Sequence, residues 1–405
     1  MSPHSARHRR VLSGMRPTGR LHLGHYHGVL RNWLDLQREH ECFFFVADWH
    51  ALTTHYEERE ILAGNVWEML VDWLACGVDP ALARVFIQSR VPEHAELHLL
   101  LSMVTPLGWL ERVPTYKDQQ EQLRDRDLAT YGFLGYPLLQ AADILIYHAT
   151  GVPVGEDQVA HVELTREIAR RFNHQFGQEP GFEDKALAAA RKMGKKNNRL
   201  YADLRRRYQE QGDTEALDVA RALLDDQQNI TVADRDRLIG YLDGTGVNVL
   251  SEPQAMLTPA ARMPGLDGRK MSKSYDNTIS LRDDPDTVDK KIRTMPTDPA
   301  RVRRTDPGEP EKCPVWDFHK TYSDAETQDW VQHGCRSAGI GCIDCKKPVI
   351  RAVQEELEPI RERAQAYDND PEAVRGIVAS GVEAARDTAR ETLEDVRRFM
   401  GLRYW

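Results

Sequence analysis

Two lysines and two serines in one short segment form the part of the chain best suited to phosphate chemistry. Residues 270–274 are Lys-Met-Ser-Lys-Ser, and Gly265 and Gly268 lie just before them. Ammonium and hydroxyl groups donate hydrogen bonds to phosphate oxygens, and glycines allow a loop to move. A solvated surface loop is the ordinary alternative for a charged segment. A second phosphate-binding segment elsewhere would favour the first interpretation.

A candidate for that second segment lies near the N-terminus. Residues 14–19, Gly-Met-Arg-Pro-Thr-Gly, follow a short predicted strand and precede an amphipathic helix that begins near His22, Gly24 and His25. A helix N-terminus offers unpaired N–H groups and the positive end of the helix dipole to a phosphate. Gly24 lets a nucleotide approach the backbone, and the imidazoles can donate hydrogen bonds. The alternatives are a group of surface histidines and a metal site that includes His27.

A third group of polar residues lies on a helix that is otherwise apolar. Tyr136, Gln140 and Asp143 are spaced four and three residues apart, so they share one helix face. The rest of this helix is apolar on nearly all sides, which predicts that it is buried. Polar groups on a buried helix need partners, and on the residues alone a hydrogen bond within the protein is the favoured interpretation.

Four of the six cysteines are clustered near the C-terminus, separated by 21, 6 and 2 residues. They are Cys313, Cys335, Cys342 and Cys345. In a reducing compartment such clustering indicates a metal before a disulfide. Zinc sites are commonly built from two Cys-x-x-Cys pairs, but only one is present, and four thiolates also suit a [4Fe–4S] cluster. The other two, Cys42 and Cys76, have apolar neighbours and are predicted to be core thiols.

The composition is that of a folded protein of two or three domains, with 405 residues, 41% hydrophobic and 29% charged. No apolar run approaches the roughly eighteen residues that span a bilayer, and the basic N-terminus lacks a signal-type apolar core. We therefore expect a cytoplasmic protein. A net charge of −9 argues against a general nucleic-acid binder, although residues 191–207 carry eight Lys or Arg and one Asp.

Strands and helices alternate along much of the chain, which predicts an α/β fold with a doubly wound parallel sheet. The predicted strands are 11–13, 42–47, 83–88, 152–154 and 255–257. The predicted helices of this part are 57–76, 94–104, 116–128, 136–148 and one that opens with residues 155–158 and runs to about 172. Residues 184–248 are polar and helical in pattern, and residues from 285 onward are helical, ending in a long amphipathic helix.

Taken together, His22-Leu-Gly-His25 and residues 270–274 resemble the HIGH and KMSKS motifs of the class I aminoacyl-tRNA synthetases, in the expected order. Residues 14–19, 136–143 and 152–158 look like those of tryptophanyl-tRNA synthetases. The resemblance implies a homodimeric enzyme that uses ATP with Mg²⁺ to form tryptophanyl-adenylate and pyrophosphate, then charges tRNA(Trp). The alternatives are a tyrosine-specific relative or another amino-acid adenylyltransferase, and a non-catalytic RNA-binding or regulatory paralogue.

The resemblance also implies roles for residues at matching positions. The implied catalytic residues are His22, Gly24, His25, Lys270, Lys273 and Ser274. The implied ATP-binding residues are Arg16, Pro17, Thr18, Gly24, His25, Gly155, Glu156, Asp157, Met263, Lys270, Met271, Ser272, Lys273 and Ser274. The implied tryptophan-binding residues are Tyr136, Gln140, Asp143 and Gln158. Among these, Asp143 would accept the indole N–H, since that group is a donor only, and Tyr136 and Gln158 would contact the α-amino group.

The resemblance also implies a domain organisation. A Rossmann-type catalytic domain is predicted at 11–183 and 249–284, a helical insertion at 184–248, and an all-helical anticodon-binding domain at 285–405. Some bacterial members carry a [4Fe–4S] cluster in that last domain with similar cysteine spacing, so a structural iron–sulfur cluster is predicted, with zinc or no metal as alternatives. Basic residues of 191–207 could contact the tRNA backbone or form a solvated helix face. Lys346 and Lys347 are predicted to touch tRNA phosphates.

Overall fold

A computed structural model describes residues 9–56, 59–113, 130–177, 181–244, 246–257 and 263–404. The strands of this part of the chain are β1 (Arg10–Met15), β2 (Glu41–Val46), β3 (Ala83–Ile87), β4 (Gly151–Val154) and β5 (Gln254–Leu257). They form one parallel sheet in the order β3-β2-β1-β4-β5. The order reverses at β1, as in a doubly wound sheet, and the predicted α/β class is confirmed.

Helices account for most of the remaining described residues. They are α1 (Leu23–His25), α2 (Arg31–Glu39), α3 (Asp48–His55), α4 (Arg59–Cys76), α5 (Glu93–Ser102), α6 (Leu107–Glu111), α7 (Tyr131–Leu134), α8 (Tyr136–Leu145), α9 (Val159–Phe176), α10 (Phe182–Lys192), α11 (Gly194–Gln211), α12 (Thr214–Asp225), α13 (Val232–Asp243), α14 (Pro285–Thr294), α15 (Pro314–Tyr322), α16 (Ala325–Arg336), α17 (Cys342–Asn369) and α18 (Pro371–Phe399). A π-helical turn, Tyr26–Leu30, joins α1 to α2. Of the described helices, none is long and apolar enough to cross a membrane.

The observed elements follow the hydrophobic pattern of the sequence closely. The first and last residues of each predicted strand lie within two residues of those of an observed strand. The agreement at β2 and β3 arises because both are apolar runs that are buried along most of their length. The helix predicted at 136–148 ends at Leu145, and His148 has a φ of 50°, which a right-handed helix does not allow. The helix predicted at 116–128 lies outside the described residues.

Two compact units make up the chain, one from residues 13–89 and 257–382, the other from 9–12, 90–256 and 383–404. In the first unit, Trp33 stacks on Phe44 at 4.2 Å and meets Trp73 edge-on at 4.9 Å. In the second, α10 to α13 enclose an apolar cluster of their own, in which the Tyr201 hydroxyl donates to the Leu238 carbonyl at 2.5 Å. The domain boundaries given above remain predictions.

A glycine allows α18 to pack directly against the backbone of β3 in the first unit. A β-carbon on Gly381 would lie 2.0 Å from the carbonyl oxygen of Val85, a distance that no substitution can tolerate without movement of the backbone. Gly376, in the same helix, has open space where a β-carbon would lie. Substitutions at these two glycines therefore separate the effect of close packing on stability from the effect of helix propensity.

We expect Gly381→Ala to lower the free energy of unfolding by about 1–3 kcal/mol or more, because the added methyl overpacks the contact with β3. Gly376→Ala should raise it by up to about 1 kcal/mol, since alanine is the better helix former. Urea denaturation followed by circular dichroism measures both. Equal effects of the two substitutions would contradict the packing at Val85.

Candidate active site

The loop after β1 ends in a histidine that caps the following helix. The Nδ1 atom of His22 accepts from the Gly24 N–H at 3.1 Å, and Nδ1 of His25 accepts from the His22 N–H at 3.3 Å. A β-carbon on Gly24 would lie 2.9 Å from the His22 ring, so glycine permits this arrangement. Because both Nδ1 atoms accept, each neutral ring carries its proton on Nε2. Each ring can therefore donate one hydrogen bond from Nε2 to a ligand.

Both rings are uncharged at neutral pH. Burial, followed by the Lys273 cation, lowers the pKa of His22 to about 4. Burial also lowers the pKa of His25 to about 3, and His22, Lys273 and Lys270 add to the effect. The arrangement combines two neutral donors with two cations, which suits an anionic ligand.

One buried side chain, Asn277, holds the lysine loop (residues 265–277) in shape. Its Oδ1 accepts from the Ser272 N–H at 2.8 Å, and its Nδ2 donates to Asp267 Oδ1 at 2.7 Å. A β-carbon on Gly265 would lie 2.1 Å from Nδ2, so the loop closes around a glycine. Asn277 has no predicted role, because nothing in the local sequence pattern distinguishes it from an ordinary loop asparagine.

The two motif segments are in contact. Residues 21–23 form two backbone hydrogen bonds of 3.0 Å with residues 279–281, directly after the lysine loop. The buried side chain of Met271 packs on Gly24, with its Cβ 3.4 Å from where a β-carbon on that glycine would lie. The structure therefore brings together the histidine and lysine segments that the sequence placed at distant positions.

Lys273 is held by the loop after β1. Its Nζ donates to the Thr18 carbonyl at 2.6 Å and lies 3.5 Å from the Thr18 hydroxyl. Gly19 has a φ of 90°, a conformation that favours glycine, and it lets the loop turn beneath the ammonium group. Lys270 and Ser274 are exposed on the same loop.

A cavity of about 130 Å³ opens beside this loop. Its lining includes Arg16, Pro17, Thr18, Ile61, Leu62 and Asn65. Arg16 Nη1 lies 3.5 Å from the Thr54 hydroxyl. Three of the residues predicted to bind ATP thus line one cavity in the first unit.

Asp72, on α4, anchors both motif segments. It is fully buried, and its carboxylate accepts from the Leu21 N–H at 2.7 Å and from Arg282 Nε at 2.5 Å. Arg282 also contacts Glu68 at 2.6 Å and Asp368 at 3.2 Å. Burial raises the pKa of Asp72, while the Arg282 cation and the Leu21 N–H oppose the rise. The signal in the sequence is a carboxylate directly flanked by apolar residues on both sides, as Asp72 is by residues 69–71 and 73–76.

The second unit holds the polar residues of α8. Asp143 is buried, and His94 Nδ1 lies 2.5 Å from its Oδ1, while His94 Nε2 lies 2.6 Å from the Tyr147 hydroxyl. The Tyr136 hydroxyl lies 2.9 Å from His161 Nε2. Two of the predicted tryptophan-binding residues therefore have histidine partners that the sequence did not reveal, because both histidines come from other helices.

The remaining predicted site residues are distributed between the units. Gln140 is half-buried on α8, and Gln158 Nε2 donates to Asp157 Oδ2 at 2.9 Å in the second unit. Glu156 and Asp157 are exposed there, just after β4. Met263 is buried in the first unit.

The four clustered cysteines lie in one region of the first unit. Cys313 precedes α15, Cys335 lies in α16, and Cys342 and Cys345 begin α17. Burial, followed by the other three thiols, raises the pKa of Cys345 to about 12. Within the described ranges, however, no group of three or more His, Cys, Asp or Glu side chains is arranged to hold a metal ion. The predicted donors are near one another but are not in a ligating arrangement.

The prediction that Lys346 touches tRNA phosphates is wrong, because its side chain is buried. Its Nζ donates to the carbonyls of Arg293 at 2.7 Å and Met295 at 2.6 Å, at the end of α14. A lysine in this position satisfies carbonyls that the helix leaves unpaired. Lys347 is exposed and donates to Asp344 at 2.8 Å.

Four of the eight basic residues in the segment 191–207 form ion pairs or a cation–π contact with side chains between residues 203 and 241. The engaged residues are Lys192, Arg205, Arg206 and Arg207. The exposed residues Arg191, Lys195, Lys196 and Arg199 are the remaining candidates for phosphate contacts.

Comparison with known proteins relates these features to a family. Residues 4–203 and 224–358 match the family described as tRNA synthetases class I (W and Y). The chain is 66% identical over 395 residues to the tryptophan–tRNA ligase of Ralstonia nicotianae, covering 98% of this chain and 99% of that protein. It is 44% identical to that of Thermotoga maritima, covering 98% and 100%. A solved structure of tryptophanyl-tRNA synthetase from Campylobacter jejuni, complexed with ADP and tryptophan, is similar with a TM-score of 0.73 at 28% identity, covering 97% and 99%.

The lowered pKa values of His22 and His25 predict how stability changes with pH. Between pH 6.5 and about 4, the unfolded chain takes up protons on these rings while the folded protein does not. Their contribution therefore makes the free energy of unfolding fall as the pH falls through this window, and it levels off above pH 6.5.

The His25→Gln variant keeps an N–H donor but does not titrate, so its free energy of unfolding should depend less steeply on pH than that of the unchanged protein. Urea denaturation at a series of pH values measures both dependences. Their difference gives the contribution of His25 apart from other groups that titrate in the same range. An identical slope in both proteins would mean that His25 is not held neutral.

Proposed function

The chain belongs to the class I tRNA synthetases of the tryptophan and tyrosine family, and we propose how its sites carry out the family reaction. It is a tryptophan–tRNA ligase. It activates tryptophan with ATP to tryptophanyl-adenylate and pyrophosphate, and then transfers tryptophan to the 3′ end of tRNA(Trp). The contact between residues 22–25 and 270–274 supports the location of this reaction, because neither segment alone defines a nucleotide-binding site.

Amino-acid activation requires no general base. The α-carboxylate of tryptophan is ionised at neutral pH, so one of its oxygens attacks the α-phosphorus of ATP and pyrophosphate leaves. Catalysis then consists of positioning the two substrates and stabilising charge on phosphate oxygens. ATP enters as its Mg²⁺ complex, in which the metal accompanies the phosphates.

The first unit supplies the groups for the phosphates. His22 and His25 donate from their Nε2 atoms as neutral rings, so they stabilise phosphate charge without a proton transfer. Lys270 and Lys273 supply positive charge as pyrophosphate develops. Lys273 is held at Thr18, in the loop that also lines the cavity, which supports a role at the phosphates.

Asp143 in the second unit selects the amino acid. Its carboxylate accepts the indole N–H, while Tyr136 and Gln158 contact the α-amino group. The support is the burial of Asp143 on an apolar helix, where a bound amino acid without an indole N–H would cover the carboxylate and offer it no hydrogen bond. That loss discriminates strongly against amino acids such as phenylalanine.

The macromolecular context is also part of the proposal. The enzyme acts on tRNA(Trp) in the cytoplasm as a homodimer, as the family resemblance implies. The exposed basic residues of α10 and α11 could contact the tRNA backbone, whereas their engaged neighbours stabilise the insertion.

Cys313, Cys335, Cys342 and Cys345 are proposed to hold a structural [4Fe–4S] cluster, with zinc as the alternative. The support is a set of four thiols from three segments, near enough that the other three raise the pKa of Cys345. Because the described residues do not show a ligating arrangement, the proposal rests on donor type and proximity. The cluster would fold this region and takes no part in the chemistry.

Exchange of labelled pyrophosphate into ATP with single amino acids tests the proposed reaction. Tryptophan should drive exchange and tyrosine should not. Lys273→Ala should lower kcat/KM for exchange by about 10²-fold, the usual effect of removing one hydrogen-bond donor to the charge that develops in a transition state. Tryptophan binding, measured by equilibrium dialysis, should largely survive.

Lys290→Ala is the matched control, because Lys290 is an exposed lysine of the same unit outside the site. It should leave exchange unchanged. Exchange driven by tyrosine alone, or equal losses in the two lysine variants, would count against the proposed reaction and site.

Anaerobic purification tests the cluster. The protein should be brown and oxygen-sensitive, with about four irons and four sulfides per chain. Cys345→Ser should lose the colour, while Cys42→Ser, a buried cysteine outside the group, should keep it. Colourless protein with one zinc per chain would favour zinc, and protein without metal would overturn the proposal.

A further inference from the structure

Asp143 is part of a chain of three buried polar side chains in the second unit. Its Oδ1 lies 2.5 Å from His94 Nδ1, and His94 Nε2 lies 2.6 Å from the Tyr147 hydroxyl. The exposed fraction is 0% for His94, 1% for Asp143 and 0% for Tyr147. Buried polar groups with good partners form a rigid network, so the carboxylate has a defined orientation.

The chemistry of a carboxylate fixes the direction of the first of these hydrogen bonds. An ionised carboxylate can only accept, so His94 Nδ1 donates to Asp143. The Tyr147 hydroxyl can either donate to or accept from His94 Nε2. Burial, followed by the charges of Asp143 and Glu93, raises the pKa of Tyr147 well above its usual value, so the phenol keeps its proton.

We propose that His94 is a positioning residue for amino-acid selection: it fixes the Asp143 carboxylate in the orientation that accepts the indole N–H. The inference rests on the proposed function, in which Asp143 contacts the indole. An ionised carboxylate has about four acceptor positions, so it can hold His94 and an indole together. Without His94, rotation about the broad terminal torsion of aspartate would misplace the acceptor.

The helix that carries His94 is held independently of His94. Its neighbour Glu93 pairs with Arg386 at 3.0 Å and with Arg390 at 3.2 Å, and Glu96 pairs with Arg397 at 2.6 Å. All three arginines lie on α18 within the same unit. Substitution of His94 should therefore leave α5 in place.

Two polar substitutions test separately the hydrogen bond of His94 with Asp143 and its hydrogen bond with Tyr147. The amide nitrogen of His94→Asn lies near the position of Nδ1 and keeps the donor to Asp143. The amide of His94→Gln lies near the position of Nε2, keeps the contact with Tyr147 and loses the donor to Asp143. Both variants retain one buried partner, and thermal denaturation checks that both are folded.

The test compares tryptophan with 3-benzothienylalanine, in which sulfur replaces the indole N–H, in pyrophosphate exchange. His94→Gln should lower kcat/KM for tryptophan by about 10- to 100-fold, the effect of losing a hydrogen bond to a charged group. It should change kcat/KM for the sulfur analogue, and KM for ATP, by less than about threefold, and His94→Asn should stay close to the unchanged enzyme.

Equal losses for both amino acids, or equal losses in both variants, would overturn the positioning role and leave His94 as a structural residue. The unchanged enzyme provides the separate check on the proposed function. If it showed no exchange with tryptophan, the proposed reaction and the inference would both fail. If it exchanged with tryptophan but used the analogue equally well, the reaction would stand and the indole contact of Asp143, with this inference, would fail.

Discussion

The buried ion pair between Asp72 and Arg282 is the interaction on which the histidine segment and the lysine loop depend. One carboxylate holds the backbone just before the histidine segment and the arginine just after the lysine loop. Removing one partner of a buried pair leaves an uncompensated charge and typically costs about 3–5 kcal/mol. Because the carboxylate is shared, a loss there would displace both loops at once, whereas a change in either loop alone would leave the other anchored.

The chemistry-bearing segments could be predicted from the sequence because their residue types and spacing are local. Their supports could not. Asp72 and Arg282 are 210 residues apart, and Asn277 differs from other loop asparagines only in what it contacts. Lys346 shows the opposite error: it was predicted to touch tRNA phosphates, but its ammonium group donates to two carbonyls at the end of a nearby helix.

The polar groups of the second unit illustrate the same limit. The spacing of Tyr136 and Asp143 predicted one buried polar face, and Asp143 is indeed buried. It could not predict that His94 and His161 would be the partners, since tertiary packing alone brings other helices to that face. The strands were more predictable, because a continuous apolar run is compatible with few environments other than the interior of a sheet.

The hydrogen bond from Lys273 to the Thr18 carbonyl has a thermodynamic consequence. An ammonium group carries three N–H donors, and the Thr18 carbonyl and hydroxyl occupy at most two of them. The contact restricts a long side chain whose ordering costs up to about 2 kcal/mol of conformational entropy. That cost is met when the protein folds, so a ligand that reaches the ammonium group does not have to supply it from its own binding free energy.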